Sequence, residues 1–391
     1  MTEGQILDIL LIAMLIAYLV YGLRHGLSRS LFVIAGVVAG AVAAFFLAPL
    51  VASWVPFPFL RVAATILVAL GLLAAGHALG ALIGRAVRSG IERSPLSGFD
   101  RFLGGLVTGI AAALIASVVA SSVSQLGVPL LSRAIAGSTV LRTINLLTPD
   151  PVEAYLAQVR AYVIDQGLPI ISGALGTTPV IPQIDTGSPE LNVAAQSVVR
   201  ITGNALACGV SQAGTGFVIA DDRIVTNAHV VAGVSEPVIE APDGETLSGS
   251  VVYFDAQDDL AVIYVPGLTA GPIPLGDTLG AGSDSAIAGY PYGGPFASGA
   301  ASVISVGTAA VDNIYGRPGS SREVYTLAAD VRQGNSGGPL LSLDGEVVGV
   351  VFAKSGDTAN VGYAMTMLEL DPVAAQASGL SSAVSSGECV G

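Results

Sequence analysis

Four long apolar stretches in the first third of the chain constrain its fold more than any other feature. They cover residues 9–23, 31–51, 62–84 and 102–123 and contain no Asp, Glu, Lys or Arg. Each is close to the roughly 20 helical residues that cross the core of a bilayer, the first being extended backward around Asp8. Four such stretches within 125 residues leave nothing but lipid to cover them. The sequence therefore predicts an α-helical membrane bundle of four spans over residues 1–125, rather than the buried helices of a large soluble domain.

Arginine residues between these stretches predict how the bundle is oriented. Two lie in the first connection and four in the third, whereas the second has only Arg61. The six are Arg24, Arg29, Arg85, Arg88, Arg93 and Arg101. Positively charged connections stay in the cytoplasm, so four crossings place the amino terminus and everything after residue 123 outside. A cleaved signal peptide is not predicted, because no Lys or Arg precedes the first apolar stretch.

The net charge of -13 is divided unevenly along the chain. Residues 1–125 carry +3 and the remainder carries -16, while charged residues make up only 12% of the whole, about half the share in soluble globular proteins. An acidic outer part repels the phosphates of nucleic acids. A polynucleotide is therefore not a predicted partner. The predicted partner is the bilayer, which the apolar stretches require.

Small residues and one histidine characterise the predicted spans. Glycines recur at every fourth position, a spacing that lets helix backbones approach closely. They are Gly36 and Gly40; Gly76, Gly80 and Gly84; and Gly105 and Gly109. His77 lies deep in the third span. It is interpreted as a structural hydrogen-bonding group rather than a proton relay, because no span supplies a carboxylate partner.

Residues 126–189 have a different composition, with repeated prolines, and are predicted to form an extracytoplasmic linker. A short helix is predicted near residues 151–166, where Pro151 suits a first helical turn and apolar residues recur on one face. Residues 173–189 show no periodicity and are predicted to be an extended tether, which is exposed to proteolysis.

Residues 190–391 consist of short β-rich runs separated by turn residues. The runs are residues 217–219, 224–226, 251–254, 260–265, 286–289 and 347–352. Asp243-Gly244 and Asp344-Gly345 are predicted hairpin turns, and no long helix is predicted. About 200 residues of this kind favour an all-β barrel or sandwich.

Three segments of this β-rich part carry the components of one catalytic group. A β run ends in His229, Asp258 and Asp259 open an apolar strand, and Ser336 lies in a Gly-rich turn. A Ser hydroxyl is nearly inert until a neighbouring His takes its proton, and a carboxylate must hold that His in the right tautomer. The Gly334 and Ser336 N–H groups of a tight loop suit an oxyanion hole. The chain order His, Asp, Ser excludes the α/β-hydrolase arrangement.

These segments resemble the signatures of a known family. Thr226-Asn-Ala-His229, Asp259-Leu-Ala-Val and Gly334-Asn-Ser336-Gly-Gly-Pro are similar to those of chymotrypsin-fold serine proteases, particularly the bacterial trypsin-like and HtrA-like branch. The runs Gly214-Thr-Gly-Phe-Val-Ile219 and Ala288-Gly-Tyr-Pro291 support the likeness. The four spans resemble the colicin V production (CvpA) membrane domain. The whole chain thus resembles the membrane-anchored periplasmic serine proteases of actinobacteria of the MarP type, which implies a chymotrypsin-like double β-barrel at residues 190–391.

The resemblance assigns catalytic roles to single residues. Ser336 is the expected nucleophile and His229 the expected general base and then acid. The family places its carboxylate immediately before Leu-Ala, which favours Asp259, with Asp258 and then Asp255 as alternatives.

Two further residues are expected at a specificity pocket. Asp330 lies six residues before Ser336, where trypsin-like enzymes carry a carboxylate that binds a basic residue before the scissile bond. Lys354 falls near the pocket wall, where relatives commonly have Gly, and is expected either to neutralise Asp330 or to narrow the entrance. Basic specificity therefore stays open.

The two cysteines, Cys208 and Cys389, both lie in the predicted outer part. An oxidising compartment and an even count favour a Cys208–Cys389 disulfide that pins the carboxyl-terminal tail. Two Cys and one His already engaged elsewhere do not make a metal site, so neither a metal nor another cofactor is predicted.

The sequence therefore predicts a membrane-tethered extracytoplasmic serine endopeptidase that cleaves proteins or peptides of the cell envelope, with self-cleavage in the linker as a further expectation. The resemblance implies a part in tolerance of acid or oxidative stress. Two alternatives are a four-span channel or secretion factor regulated by its protease domain, and a catalytically inactive binding module. The lack of paired charges in the spans disfavours the first, and the complete triad disfavours the second. The oligomeric state is not predicted.

Overall fold

The computed structural model describes most of the chain. The described residues are 3–53, 58–91, 97–124, 131, 134–135, 137–149, 151–152, 155–156, 158, 168–171, 177–205, 210–388 and 390. The chain divides into two compact units: residues 8–117, which we call the helical unit, and residues 1–7 with 118–391, which we call the β unit.

Three long helices dominate the first part of the chain: α1 (Glu3–Ser53), α2 (Pro58–Ile91) and α3 (Ser97–Ser124). Each contains a segment long and apolar enough to cross a membrane. The predicted helical membrane bundle is confirmed, but the described residues hold three candidate spans where the sequence predicts four. The reason is that the first two predicted stretches both lie in α1, in which only Gly26 (φ 74°, ψ 164°) departs from helical geometry.

A carboxylate from α3 caps the part of α1 that follows this break. Asp100 Oδ1 accepts hydrogen bonds from the backbone N–H of Ser28 (3.1 Å) and from its hydroxyl (2.7 Å). N–H groups in the first turn of a helix lack intrahelical partners, and a negative charge there interacts favourably with the helix dipole. A Cβ at Gly26 would collide with the same carboxylate, so the junction requires glycine.

Glycines bring the helix backbones together where their spacing predicts it in α1 and α2, whereas Gly105 and Gly109 of α3 face leucine side chains of α1. A Cβ at Gly76 of α2 would collide with the carbonyl oxygen of Gly36 in α1, and one at Gly22 would collide with the carbonyl of Gly104 in α3. Such contacts let helices pack without intervening side chains. His77 is exposed on the surface of α2.

Short elements precede the barrels: α4 (Thr139–Leu147), β1 (Ile170–Ile171) and α5 (Pro189–Ala195). The sequence does not predict α4, which begins after Ser138, whose hydroxyl oxygen accepts the Leu141 N–H (3.1 Å). Within the predicted helix at 151–166, residues 151–152, 155–156 and 158 are helical, and the others lie outside the described residues.

Seven strands form the first barrel. They are β2 (Val198–Ala205), β3 (Val210–Ala220), β4 (Arg223–Thr226), β5 (Val238–Glu240), β6 (Thr246–Ser248), β7 (Ser250–Asp255) and β8 (Leu260–Tyr264). Their order is β6-β5-β2-β3-β4-β8-β7. The predicted turn at Asp243-Gly244 joins β5 to β6, with Gly244 at φ 84°. A one-turn helix, α6 (Ala228–Val231), follows β4.

Six strands close the second barrel. They are β9 (Asp284–Gly289), β10 (Ala297–Ala310), β11 (Ser321–Ala329), β12 (Pro339–Leu341), β13 (Val347–Ser355) and β14 (Val361–Met365). The order is β13-β12-β9-β10-β11-β14, and a β13–β14 pairing completes the ring. The β12–β13 hairpin turns at Asp344-Gly345, as predicted. Outside the ring, β1 pairs with β13 in parallel. The predicted double β-barrel is confirmed.

A helix that the sequence does not predict, α7 (Met367–Ala377), follows the second barrel. It contains Pro372, which cannot donate a backbone hydrogen bond and is normally excluded from helix interiors. Burial compensates for this penalty, because Met367, Leu370 and Val373 join an apolar cluster of the β unit.

That cluster joins the two barrels. It contains Phe217 and Val225 from the first barrel and Ala286, Leu341 and Phe352 from the second, and all five are buried. Burial of apolar surface therefore holds the two barrels against each other.

Candidate active site

The predicted catalytic residues lie in three loops of the two barrels. His229 is in α6 directly after β4, and Asp259 immediately precedes β8, so both belong to the first barrel. Ser336 lies between β11 and β12 of the second barrel. Thr215 of β3 donates its backbone N–H to the Ser336 carbonyl (2.9 Å), which ties the two barrels together at this loop.

His229 and Asp259 form a buried pair. The imidazole Nδ1 lies 2.8 Å from Asp259 Oδ2 and 3.0 Å from Oδ1, and the backbone N–H of His229 donates to Oδ1 (2.9 Å). The two residues are 9% and 3% exposed. A carboxylate at this distance favours the tautomer with its proton on Nδ1, which leaves Nε2 able to accept a proton.

A left-handed backbone conformation aims the Asp259 carboxylate. Its φ is 57°, a value that Asp and Asn adopt more readily than other non-glycine residues. Asn227, two residues before His229, donates its side-chain N–H to the Asp259 carbonyl (2.8 Å). The loop that carries the carboxylate is thus held by the segment that carries the imidazole.

The two alternative carboxylates have other partners. Asp258 accepts a hydrogen bond from the hydroxyl of Ser320. Asp255 accepts the backbone N–H groups of Gln257 (2.8 Å) and Asp258 (3.1 Å), a turn-capping arrangement. Of the three candidates only Asp259 contacts His229 in the structure.

Two glycines in the left-handed region shape the loop around Ser336. Gly334 and Gly337 have φ values of 91° and 80°, and a Cβ at Gly334 would collide with the carbonyl of Tyr290. Asn335 steadies the loop, because its Oδ1 accepts the backbone N–H of Arg332 (2.9 Å). Within the described part of the chain, the N–H groups of Gly334 and Ser336 donate to no protein acceptor. Both are available to a negatively charged oxygen.

The Ser336 hydroxyl is buried but has no hydrogen-bond partner among the described residues. Ser336 is 3% exposed. A hydroxyl in such a position is ready to donate to a base, and catalytic hydrogen bonds often tighten only when substrate binds. The loop that carries Ser336 approaches the segment that carries His229, since a Cβ at Gly337 would lie 2.9 Å from the backbone nitrogen of Asn227.

Thr215 is a functional candidate that the sequence prediction missed. Its buried hydroxyl donates to the Gly334 carbonyl (2.6 Å) and accepts the Tyr290 N–H (3.0 Å). Its own carbonyl accepts the hydroxyl of Thr226 (2.7 Å), which gives Thr226 a structural hydrogen bond close to His229 in the chain. Thr215 lies between Gly214 and Gly216, and glycines within a strand indicate that other groups pack close against its backbone.

The two residues expected at the specificity pocket, Asp330 and Lys354, do not form an ion pair with each other in the described structure. Asp330 is half-exposed and forms an ion pair with Arg332 (2.6 Å), whose pKa is raised by the hydrogen bond with Asp330. It is therefore not the buried carboxylate that the trypsin-like position implies. Lys354 lies at the end of β13 and forms no ion pair with Asp330 within the described residues, so Arg332 is the group that neutralises it.

Other predicted features lie partly outside the description. Cys208 and Cys389 are not among the described residues, so the disulfide stays a prediction. Among the residues that are described, no group of three or more His, Cys, Asp or Glu side chains is arranged to hold a metal ion. Tyr290, next to the nucleophile loop, has its pKa raised by burial and donates its hydroxyl to the Val198 carbonyl (3.2 Å).

Comparison with known proteins adds to this geometry. The family model for the colicin V production protein matches residues 7–149, and that for the trypsin-like peptidase domain matches residues 214–350. The serine protease Rv3671c of Mycobacterium tuberculosis is 36% identical over 318 residues, covering 78% of this chain and 79% of that protein. The chain belongs to the Rv3671c family of serine proteases.

The likeness to Rv3671c extends to the fold. The crystal structure of the Rv3671c protease in its active form matches with a TM-score of 0.52 and 37% identity, covering 56% of this chain and all of that chain. A probable periplasmic serine endoprotease, DegP-like, of Halomonas elongata is 36% identical over 162 residues, or 39% of this chain and 32% of that protein. As a member of the Rv3671c family, the chain is a membrane-associated serine endopeptidase.

Proposed function

We propose that the chain is a membrane-tethered endopeptidase that cleaves proteins outside the cytoplasmic membrane with Ser336, His229 and Asp259. The observation that carries the proposal is the buried His229–Asp259 pair, in which Nδ1 contacts both carboxylate oxygens, in a chain whose Ser336 hydroxyl is buried without a described partner. A carboxylate held on Nδ1 stabilises the imidazolium that forms when the other ring nitrogen takes a proton.

The reaction then follows from these positions. His229 Nε2 takes the Ser336 proton as Oγ attacks the scissile carbonyl, and the developing oxyanion accepts hydrogen bonds from the Gly334 and Ser336 amides. The imidazolium gives its proton to the leaving amine, which leaves an acyl-enzyme. Water attacks the ester with His229 again as base, and the acid product departs.

Labelling with a fluorophosphonate probe tests the nucleophile. The full-length chain in detergent is expected to react, and Ser336→Ala is expected to lose both labelling and hydrolysis of fluorescently labelled casein. Ser285→Ala is a matched control, because the Ser285 hydroxyl is also buried without a described partner. It should label like the parent chain. Labelling of Ser336→Ala, or no labelling of the parent chain, contradicts the proposal.

The proposed location rests on the arginine residues that flank the helices. With the Arg-rich connections in the cytoplasm, residues 126–189 form an extracytoplasmic linker and residues 190–391 the protease domain. Four crossings require that α1 crosses twice, with its break at Gly26 between Arg24 and Arg29. The candidate span in α1, Gly4–Ala44, has 41 residues, about twice the length that one crossing needs.

Proteins and peptides of the cell envelope are the proposed substrates, since an enzyme tethered outside the membrane reaches these first. A role in acid or oxidative stress and self-cleavage in the linker are part of the same proposal. Self-cleavage predicts that Ser336→Ala stays full-length where the parent chain is processed. Processing of the variant would assign that cleavage to another enzyme.

A further inference from the structure

One edge of β13 runs directly past the nucleophile loop. The backbone N–H of Gly337 donates to the Val351 carbonyl (2.8 Å), and the N–H of Val351 donates to the Gly338 carbonyl (2.9 Å). Val351 therefore lies opposite the two residues that follow Ser336 in the chain. From there β13 continues for several residues, and Lys354 lies about 10 Å further along at the usual rise per residue of a strand.

The segment of residues 168–171, from the linker, occupies this edge beyond the nucleophile loop. The pairing is parallel, with Ile170 opposite Lys354 and Ile171 opposite Ser355. Lys354 donates its backbone N–H to the Pro169 carbonyl (3.2 Å), and Gly356 donates its N–H to the Ile171 carbonyl (3.1 Å). Both N–H groups of the edge are thereby used by the chain itself.

Side chains of the segment add apolar contacts. Leu168 packs against the apolar cluster inside the second barrel, and Ile171 packs against the cluster that joins the two barrels. A Cβ at Gly356 would lie only 2.6 Å from the Ile170 side chain, so the segment lies close against β13. The contact is thus an interface with buried apolar surface as well as hydrogen bonds.

The direction of the segment explains why it is held rather than cleaved there. Because β1 runs parallel to β13, residues 168–171 lead away from Ser336. The carbonyls of Pro169 and Ile171 are engaged by β13 and are not presented to the nucleophile.

We propose that residues 168–171 are a built-in competitor for the substrate strand. An extended peptide that reaches Ser336 along β13 needs the N–H groups of Lys354 and Gly356, and one N–H serves one strand at a time. The partner that displaces the segment is therefore an extended, unfolded stretch of a protein substrate. The proposal rests on the proposed protease function and concerns its regulation: hydrolysis is restrained until the linker leaves β13.

Replacing Ile171 by Asp tests this in the full-length chain. A charge at this partly buried position disfavours the docked segment but leaves the triad and its loops unchanged. Casein cleavage is expected to rise about five- to tenfold in kcat/KM, mainly through a lower KM, as the docked population falls. Leu168→Asp should act in the same way. Val180→Asp is the control, because Val180 lies in the same linker, is 87% exposed and should change nothing.

The fluorophosphonate probe separates this proposal from the proposed function, since it reacts with Ser336 without needing the β13 edge. If Ile171→Asp and Leu168→Asp label at the parental rate but cleave casein no faster than Val180→Asp, the linker does not restrain the enzyme and the inference is overturned. If no variant labels, the protease function itself fails.

Amide hydrogen exchange in the Ser336→Ala variant is a second test of whether substrate displaces the segment. Unlabelled casein is expected to speed amide exchange at Leu168, Ile170 and Ile171, since Pro169 has no N–H, while residues 354–356 stay protected because one strand replaces another. Unchanged exchange in 168–171 at saturating casein contradicts competition.

Discussion

Asp259 contacts the imidazole because its own backbone adopts a left-handed conformation that most residues avoid. Its neighbour Asp258 has the same charge and differs by one position in the chain, yet it binds Ser320 instead. Three carboxylates within five residues were indistinguishable from charge and hydropathy alone. The φ of 57° at Asp259 and the donor from Asn227 separate them.

Substitution of Asp259 by Asn should therefore be far more damaging than the same change next to it. The amide no longer favours the productive imidazole tautomer, so kcat should fall by about a thousandfold or more. Asp258→Asn is the matched control and is expected to stay within about threefold of the parent, since it loses only a charge-assisted hydrogen bond to Ser320. Casein hydrolysis measures both variants, and an equal loss in the two would show that Asp259 is not the orienting group.

Thr215 is expected to position the oxyanion loop from the opposite barrel. Thr215→Val keeps the shape but leaves the Gly334 carbonyl and the Tyr290 N–H without a partner, which should lower kcat about 10- to 100-fold with little change in KM. Thr215→Ser retains the hydroxyl and should restore most of the activity. If Thr215→Ser is as impaired as Thr215→Val, the methyl group and not the hydrogen bonds carries the effect.

At the scale of elements, close backbone contact holds α1 against α2. Gly36 of α1 and Gly76 of α2 lie so close that neither has room for a side chain. A Cβ at Gly71, also in α2, would have nothing within 4 Å. Glycine spacing indicated such packing, but not which glycines form the contact. That distinction depends on the rotation of each helix about its axis.

Gly76→Leu should consequently destabilise the helical unit, and Gly71→Leu should not. Forcing a large side chain into a packed contact costs about 1–3 kcal/mol. Thermal unfolding of the full-length chain in one detergent, followed by circular dichroism, measures the difference in Tm. Equal Tm values for the two variants would argue against this helix contact.

At the scale of the whole molecule, the path of α1 decides which side of the membrane the chain begins on. If α1 crosses twice, the amino terminus and the protease domain lie on the same side of the membrane. If it crosses once, they lie on opposite sides. The break at Gly26, the Asp100 cap after it and the arginines on either side favour two crossings.

An epitope tag ahead of Met1 tests this arrangement. In intact spheroplasts the tag and the protease domain are both expected to be accessible to antibody or to added proteinase. A tag ahead of Met1 that is reached only after permeabilisation would mean a single crossing of α1. A cytoplasmic marker protein that stays protected in the same preparation is the control.

The features that the sequence determined by itself depend on residues that are close together in the chain. The apolar stretches required lipid, the turn residues at Asp243-Gly244 and Asp344-Gly345 set hairpins, and the motifs around His229 and Ser336 indicated serine protease chemistry. Each of these signals is local, because it reports propensity, hydropathy or the residue types that a reaction needs.

The tertiary structure decided what depends on residues far apart. The His229–Asp259 contact joins positions 30 apart, and the Thr215–Gly334 hydrogen bond joins positions 119 apart. The surface ion pair of Asp330 with Arg332 and the docking of residues 168–171 on β13 also appeared only there. These contacts follow from how the barrels close and pack, and long-range packing leaves no signature in a local pattern.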